Sequence, residues 1–310
     1  MSQSHSTSER SARIAVLPDR GVVAVTGPDA KKLLAGIITN EMDLLDAQPA
    51  LFAGLLNPQG KILFEFFVVQ APHDSPDGVL LDVARDHAGD LVERLAMYKL
   101  RAKAEVADVS PTHAVWAFWS DKGDGIPNAE QTLSAGIRYP DPRLSGMGLR
   151  FIQPRSAVPP VGQVEIVGYH AHRIALGVPE GGKDYDFGDA YPHEANFDIL
   201  NGVSFDKGCY VGQEVVARMQ HKTVVRKRVV RVRATCDLPP ARPDIRAGEA
   251  IIGRLGSVAG GAGLALLRLD RVIEFQDKGL AITADGIALD VGTAAIERYR
   301  TTAAGRAAAP

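Results

Sequence analysis

The residues with the clearest chemical potential lie in one octapeptide. Residues 207–214 read Lys-Gly-Cys-Tyr-Val-Gly-Gln-Glu, and Cys209 at their centre is one of two cysteines among 310 residues. Glycines let a ligand or partner approach the backbone closely, and a nearby cation such as Lys207 favours the thiolate, which attacks electrophiles and binds metals. Cys209 is therefore a candidate redox-sensitive thiol, nucleophile or transient cluster ligand. The alternative is a buried structural cysteine, the commoner role of a free thiol.

The composition excludes several classes of protein. A net charge of −2 gives no overall attraction to nucleic acid or anionic membranes. Two cysteines, Cys209 and Cys236, exclude a disulfide framework and a stable cluster held by four thiolates of this chain. No pair of histidines has helical spacing beside a carboxylate, so a zinc site is not supported.

The first residues indicate a compartment. Residues 1–11 are polar and Ser-rich, without the apolar segment of a secretory signal, and predict a disordered tail. No run of 18 apolar residues predicts a transmembrane helix. Together with the low cysteine content, these features predict a cytoplasmic protein.

The elements that must position the octapeptide mix strands and helices. Residues 13–26 predict two strands broken at 18–21, and Gly27 to Ala30 opens a helix with Asp29 as its N-cap. Further predicted elements are a hairpin of 50–56 and 61–69, a strand at 79–84, a helix at 86–98, strands at 114–119 and 147–153, and a helix at 163–176 that ends at Gly177. Without a strict βαβ rhythm, this order indicates an α+β fold.

The chain divides by composition near residue 224. From there to about 299 it is strand-rich and punctuated by glycine, which predicts a small β-barrel or sandwich. We predict an α+β region at 12–223, with subdomains of about 12–105 and 106–223, followed by a barrel at 224–300.

Eight segments in a fixed order carry a family resemblance. They are Gly27 to Ala30 with Thr39-Asn40, Asn57 to Lys61, Tyr98 to Arg101, Asp141 to Arg143 with Leu149-Arg150, Arg173 with Gly177 to Glu180, Pro192 to Asn196, the octapeptide, and Ala217-Arg218. In this order they resemble the YgfZ family over about residues 13–299. Members of that family are folate-binding proteins of iron–sulfur cluster maturation, related in fold to the glycine cleavage T-protein.

The resemblance implies a fold, a cofactor and partners. The fold is two interleaved α+β subdomains around a folate-sized central hole, followed by a small C-terminal β-barrel. The cofactor is tetrahydrofolate or a derivative, and the partners are iron–sulfur carrier or client proteins. Support of tRNA modification is implied indirectly, because some tRNA-modifying enzymes carry 4Fe–4S clusters. Direct nucleic-acid binding is not implied, and the oligomeric state is left open.

Two departures from the T-protein weaken the prediction of aminomethyl transfer. Where that protein carries Gly-Gly-Ile-x-Asp-Asp, this chain reads Gly-Lys-Ile-Leu-Phe-Glu, and Glu65 is the only acid. Where it carries a pterin-contacting glutamate, residues 173–177 read Arg-Ile-Ala-Leu-Gly. A buried carboxylate accepts paired N–H donors from a pterin, so its loss changes how a pterin would be held.

The resemblance assigns seven residues to the folate site, and several of them have another interpretation. Tyr210 stacks on a pterin or fills the core, and Glu194 lines the site or caps a turn. Lys207 lowers the thiol pKa, pairs with an anion, or is a surface lysine. The seven are Glu65, Arg173, Glu194, Tyr210, Gln213, Glu214 and Arg218; of these, Gln213 and Glu214 can also fix the shape of the loop that carries Cys209.

A basic segment follows the octapeptide. Residues 218–233 hold seven Lys and Arg and no acid, which indicates an anion or RNA patch, a clamp on a folate tail, or a solvated barrel face. Without interleaved aromatic residues, stacking on RNA is poorly supported.

Three functions follow from these features. The favoured one is a tetrahydrofolate-binding accessory factor for assembly, insertion or repair of 4Fe–4S clusters, with Cys209 as its reactive thiol, more a maturation factor than an enzyme. The alternatives are a folate-dependent aminomethyl or one-carbon transferase that uses Glu65, and a folate-gated scaffold in which Cys209 is dispensable.

Overall fold

The computed structural model describes residues 12–71, 78–120, 136–157 and 163–307. Sixteen strands occur in these ranges. They are β1 (Ala12–Val16), β2 (Arg20–Thr26), β3 (Ala50–Leu56), β4 (Ile62–Gln70), β5 (Val79–Ala84), β6 (Glu105–Asp108), β7 (His113–Ser120), β8 (Ile137–Pro140), β9 (Leu149–Pro154), β10 (Lys227–Arg233), β11 (Asp244–Ala247), β12 (Ala250–Ala259), β13 (Ala262–Arg268), β14 (Ile282–Ala284), β15 (Ile287–Ala288) and β16 (Asp290–Val291).

Six α-helices connect these strands within the same ranges. Gly177, in the left-handed region at φ 78°, ends the third of them and donates to the carbonyl of Ile174, the usual use of glycine at a helix C-terminus. The helices are α1 (Ala30–Ala35), α2 (Ala88–Lys99), α3 (Ile166–Leu176), α4 (Gln213–His221), α5 (Leu269–Asp277) and α6 (Thr293–Ala307), with short 3₁₀ turns at Met42–Asp46, Arg85–His87 and Ser145–Met147.

The strands form three sheets, and the first strand of the chain belongs to a different sheet from the strands that directly follow it. The five-stranded sheet has the order β3-β4-β5-β2-β6, and the four-stranded sheet has the order β1-β7-β9-β8. β1 pairs antiparallel with β7, from Ala12 opposite Ser120 to Val16 opposite Trp116, although β2 begins four residues later in the other sheet. The chain therefore crosses between the two α+β parts at its beginning, and the parts are interleaved.

The third sheet forms the C-terminal part. Its order is β15-β14-β11-β12-β13-β10-β16. Its inward side chains, among them Ile245, Leu255 and Leu267, form a separate apolar core at 0 % exposure, as expected for a small barrel filled by side chains. Helices α5 and α6 lie against this barrel.

A buried polar core lies where the three sheets meet. Asp82 of β5, 0 % exposed, accepts hydrogen bonds from Arg20 Nε at 2.6 Å, from Arg150 Nη2 at 2.6 Å and from the Tyr139 hydroxyl at 2.8 Å. Arg150 of β9 also stacks 4.3 Å from the centre of the Phe67 ring. Asp82 thus joins the five-stranded sheet to the four-stranded one through charges that are shielded from water.

The predicted elements agree with these bounds to within a few residues, apart from two points. Asp29 makes no capping bond to α1; its carboxylate instead accepts the backbone N–H of Lys103 at 2.7 Å. The strand-rich interpretation of 224–300 missed α5 and α6. The predicted disordered tail at 1–11 lies outside the described residues.

Candidate functional site

The octapeptide forms a loop that ends in α4. Gly208 and Cys209 are exposed, whereas Lys207 and Tyr210 on either side are half-buried. The alternative of a buried structural cysteine is therefore wrong. Cys236, the other free thiol, is also exposed, but it lies in a bend after β10 in the barrel.

Lys207 holds the loop on the end of α1. Its ammonium donates to the carbonyls of Ala35, Ile38 and Asn40 at 2.9, 2.7 and 2.8 Å, and it lies 5.0 Å from the centre of the Tyr210 ring. Those carbonyls lie at and just beyond the C-terminal end of the helix, which favours a cation. In the described structure the ammonium of Lys207 is directed to these oxygens and makes no hydrogen bond to the Cys209 thiol.

Replacing Lys207 by methionine is expected to loosen this loop. Burial lowers the pKa of Lys207 to about 8, against a smaller opposing effect of Glu41, so the ammonium predominates at neutral pH. Methionine keeps the length of the side chain and removes three charge-assisted bonds, which should cost about 1–3 kcal/mol of unfolding free energy. Hydrogen exchange should accelerate in residues 35–40 and 207–212, and unchanged exchange in both segments would show that the three bonds do not hold the loop.

Two glycines let the loop pack on the hairpin between β3 and β4. A Cβ on Gly212, at φ 80°, would lie 2.6 Å from the carbonyl oxygen of Asn57, and one on Gly60 would lie 2.8 Å from Cβ of Val215. Backbone therefore touches backbone, an approach that only glycine permits. Gln213 closes the loop, since its Oε1 accepts the backbone N–H of Tyr210 at 3.0 Å. The predicted hairpin and the octapeptide are thus parts of one structure.

The other residues of the octapeptide and α4 divide between core and surface. Tyr210 packs against the main apolar core, and burial raises its pKa to about 12. Glu214 and Arg218 are exposed on α4. Neither side chain forms a hydrogen bond or an ion pair with another described residue. The structure brings Lys207, Tyr210 and Gln213 together around the loop and leaves Glu214 and Arg218 free on its outer side.

Glu194 lies in the turn before the octapeptide. Its carboxylate accepts the backbone N–H of Tyr191 at 3.0 Å, and its own carbonyl accepts the N–H of Val229 in β10. Burial raises the pKa of Glu194, partly offset by the Tyr191 N–H. These contacts match the capping interpretation.

Arg173 and Glu65 belong to the polar core. Arg173 of α3 donates to Asp184 at 2.6 Å and to the Ser257 hydroxyl of β12 at 2.5 Å, which joins the barrel to the α+β region. Glu65 of β4 accepts the Tyr185 hydroxyl and the Gly181 N–H. Burial raises the pKa of Glu65, although these two donors oppose it.

Glu180 lies between Arg20 and Arg173 in the polar core. It makes the stability of the protein depend on pH. It lies 3.2 Å from Arg173 Nε, 3.0 Å from Lys183 Nζ and 3.8 Å from Arg20 Nη1. Burial alone would raise the pKa of Glu180, but these three charges outweigh it and lower the pKa from 4.5 to about 2. The native state therefore binds this proton less readily than the unfolded state.

Because the folded protein holds the Glu180 proton more weakly than the unfolded chain, ionised Glu180 stabilises the folded state. The stabilisation is complete above pH 4.5 and is lost as the pH falls towards 2. We expect wild type to exceed Glu180→Gln in unfolding free energy at pH 7, with the gap closing between pH 4.5 and 2. Urea unfolding at a series of pH values measures this, and two parallel curves would contradict it.

The residues assigned to folate differ in how far they are already paired within the protein. Glu65 and Arg173 are buried and already paired inside the protein. No hydrogen bond or ion pair among the described residues connects them to the other five assigned residues, namely Glu194, Tyr210, Gln213, Glu214 and Arg218. Each Glu65 oxygen already accepts one hydrogen bond, from Tyr185 or from Gly181. A pterin that used this carboxylate would therefore share it with groups of the protein.

The basic segment 218–233 is divided among several roles. Arg228 is nine-tenths buried and forms an ion pair with Asp198 at 2.7 Å. Arg231 donates to the carbonyl of Ala175 at 2.8 Å, near the end of α3. Lys227 lies 3.6 Å from Asp189. Three of the seven charges thus have partners within the protein, and of these three only Arg228 is buried.

The fold places the chain in a known structural class. It superposes on the glycine cleavage system aminomethyltransferase T of Bartonella henselae with a TM-score of 0.68, covering 90 % of this chain and 84 % of that one, at 15 % identity. The profile of the CAF17 C-terminal β-barrel domain matches residues 226–296. The predicted T-protein-like fold with a C-terminal barrel is confirmed.

Sequence relatives define the family within that class. Human iron–sulfur cluster assembly factor IBA57, a mitochondrial protein, is 36 % identical over 276 residues, which cover 83 % of this chain and 77 % of the human protein. The mouse protein is 35 % identical with the same coverage, and the Mycosarcoma maydis homologue is 36 % identical over 70 % of this chain and 56 % of its own length. The chain belongs to the IBA57 family of iron–sulfur cluster assembly factors.

These relatives confirm one prediction and overturn another. IBA57 is the eukaryotic relative of YgfZ, so the predicted kinship with T-protein-like iron–sulfur maturation factors holds, at a coarser level than YgfZ itself. The cytoplasmic location is wrong, because the relatives are mitochondrial. Low cysteine content indicates a reducing environment but does not distinguish one such compartment from another. No helix among the described residues is long and apolar enough to cross a membrane.

Proposed function

We propose that this protein assists the assembly, insertion or repair of 4Fe–4S clusters in client proteins, with Cys209 as the group that contacts the cluster or its donor. The observation that carries this proposal is the exposed Cys209 thiol on a loop fixed by Lys207, Gln213 and Gly212. A thiolate is an iron ligand, and a fixed loop presents it in one orientation.

The proposal requires a second protein. A cluster held by thiolates needs four of them, whereas this chain has Cys209 and a second thiol, Cys236, on the barrel. Within the described ranges, no three His, Cys, Asp or Glu side chains are grouped to hold a metal. An iron–sulfur carrier or client must therefore supply the remaining ligands, and Cys209 acts during transfer.

Rescue of human cells depleted of IBA57 tests the proposal. The chain, directed to mitochondria, should restore the activity of a 4Fe–4S enzyme such as aconitase, while a 2Fe–2S enzyme measured in parallel reports general cell health. Soluble, correctly located protein that leaves aconitase inactive would refute the proposal. A persistent iron–sulfur absorption band in the purified chain alone would contradict the requirement for a partner.

Tetrahydrofolate binding stays a prediction that rests on the family resemblance. The Tyr185 hydroxyl occupies one acceptor position of Glu65, so Tyr185→Phe should raise folate affinity if the cofactor takes that position. Titration of the intrinsic fluorescence of both proteins with 5-formyltetrahydrofolate measures this. Equal or undetectable binding would remove Glu65 as a folate ligand and, with it, the predicted acidic residue of a one-carbon transferase.

Support of tRNA modification would follow only through 4Fe–4S clients. If the proposal holds, cells rescued by this chain should recover both aconitase and a 4Fe–4S tRNA-thiolating enzyme together.

A further inference from the structure

Leu100, directly after α2, occupies a backbone conformation that normally belongs to glycine. Its φ is 43° and its ψ is −102°, in the region that a bulky side chain rarely adopts. Its side chain is 89 % exposed, the highest value among the exposed large apolar residues of the described structure. At this exposure, packing against the described residues does not account for a leucine at this position.

The surroundings of Leu100 are apolar and basic. Met97, three residues earlier in the last turn of α2, is 67 % exposed. Lys99, Arg101 and Lys103 follow, and among the described residues none of their side chains forms an ion pair with a carboxylate. We call Met97 together with residues 99–103 the Leu100 knuckle.

α1 connects the Leu100 knuckle to the Cys209 loop. At the beginning of α1, Asp29 accepts the N–H of Lys103 at 2.7 Å and donates its own N–H to the Lys103 carbonyl at 3.3 Å. At its end, Lys207 holds the carbonyls of Ala35 and Ile38. Six residues of helix, about 9 Å, separate the two attachments, and one partner protein can span that distance.

We propose that the Leu100 knuckle is a docking point for the protein that exchanges iron–sulfur cluster with Cys209. This inference rests on the function proposed above. The occupant is an acidic protein surface with an apolar recess: the recess takes Leu100, and its carboxylates pair with the unpaired cations. A protein is favoured over a lipid surface, since α1 connects the knuckle to the loop of a thiol that needs a protein to complete its ligands.

The substitution Leu100→Gly separates this role from a structural one. Glycine relieves the unfavourable backbone and removes an exposed side chain, so the melting temperature should be no lower than that of wild type. The affinity for a purified, cluster-loaded iron–sulfur carrier protein, measured by calorimetry, should fall at least about tenfold. Rescue of aconitase should fall in parallel. Higher salt should weaken the wild-type complex.

Two control variants complete the experiment. Leu280→Gly makes the same change at an exposed leucine just past α5 in the barrel and should keep carrier affinity. Cys209→Ser should keep affinity for the cluster-free carrier, which offers no iron to the thiol, and should lose rescue, which distinguishes docking from chemistry.

The outcomes separate the inference from the proposed function. Equal carrier affinity of Leu100→Gly and wild type overturns the inference, even if rescue shows the proposed function to be correct. Absence of carrier binding by wild type overturns it as well. Cosedimentation of wild type, but not Leu100→Gly, with phosphatidylserine vesicles would assign the knuckle to a membrane instead.

Discussion

Replacing Cys209 by serine is expected to abolish the recovery of aconitase activity in cells depleted of IBA57. Serine has nearly the same size but binds iron poorly in place of a thiolate. Because the side chain is exposed and its loop is held by other residues, the unfolding free energy should stay within about 0.5 kcal/mol of wild type. Loss of activity without loss of stability would identify the thiol as a functional group.

Cys236→Ser is the matched control. Both cysteines are exposed and free, so the two variants make the same chemical change at comparable exposure in different domains. Cys236→Ser should keep full rescue. If Cys209→Ser also keeps it at equal protein levels, the thiol is dispensable and the scaffold alternative takes its place.

The largest effect on stability is expected for Asp82→Asn. This change keeps the shape of the side chain and removes the charge that faces Arg20 and Arg150, both buried. Breaking one partner of a buried ion pair leaves an uncompensated charge away from water, so the unfolding free energy should fall by about 3–5 kcal/mol. Urea unfolding measures the shift of the midpoint.

Asp270→Asn provides the comparison at a partly exposed site. Asp270 pairs with Arg268 at 2.6 Å, the same distance as between Asp82 and Arg150, but its side chain is 22 % exposed. Replacing Asp270 by asparagine should lower the unfolding free energy by less than about 1 kcal/mol. Similar losses for the two variants would mean that the polar core is hydrated in solution and contributes little to holding the sheets together.

Local patterns in the sequence predicted the elements and the octapeptide well. The β3–β4 hairpin follows from apolar runs on either side of a Pro-Gln-Gly turn, and the end of α3 follows from Gly177. Cys209 was identified because a thiol among glycines and a lysine is unusual. Each of these signals is contained within about ten residues of the chain.

Long-range partners were not predictable in the same way. The acceptors of Lys207 are backbone carbonyls about 170 residues earlier in the chain, and any residue type supplies a carbonyl. The polar core left a weaker signal that was missed: Asp82 is a lone acid in an otherwise apolar strand, and such a residue requires a buried partner. The partner, Arg150, is 68 residues away.

The pairing of β1 with the distant strand β7 has a consequence for folding during synthesis. Its partners in β7 lie 100 to 108 residues later, from Val16 and Trp116 to Ala12 and Ser120. During synthesis β1 emerges first, yet it must wait until β7 has left the ribosome before it can pair. Closing so long a loop slows folding and leaves an apolar strand edge exposed meanwhile. The two α+β parts therefore cannot be produced as separate fragments, and this family member should depend on chaperones early in its synthesis.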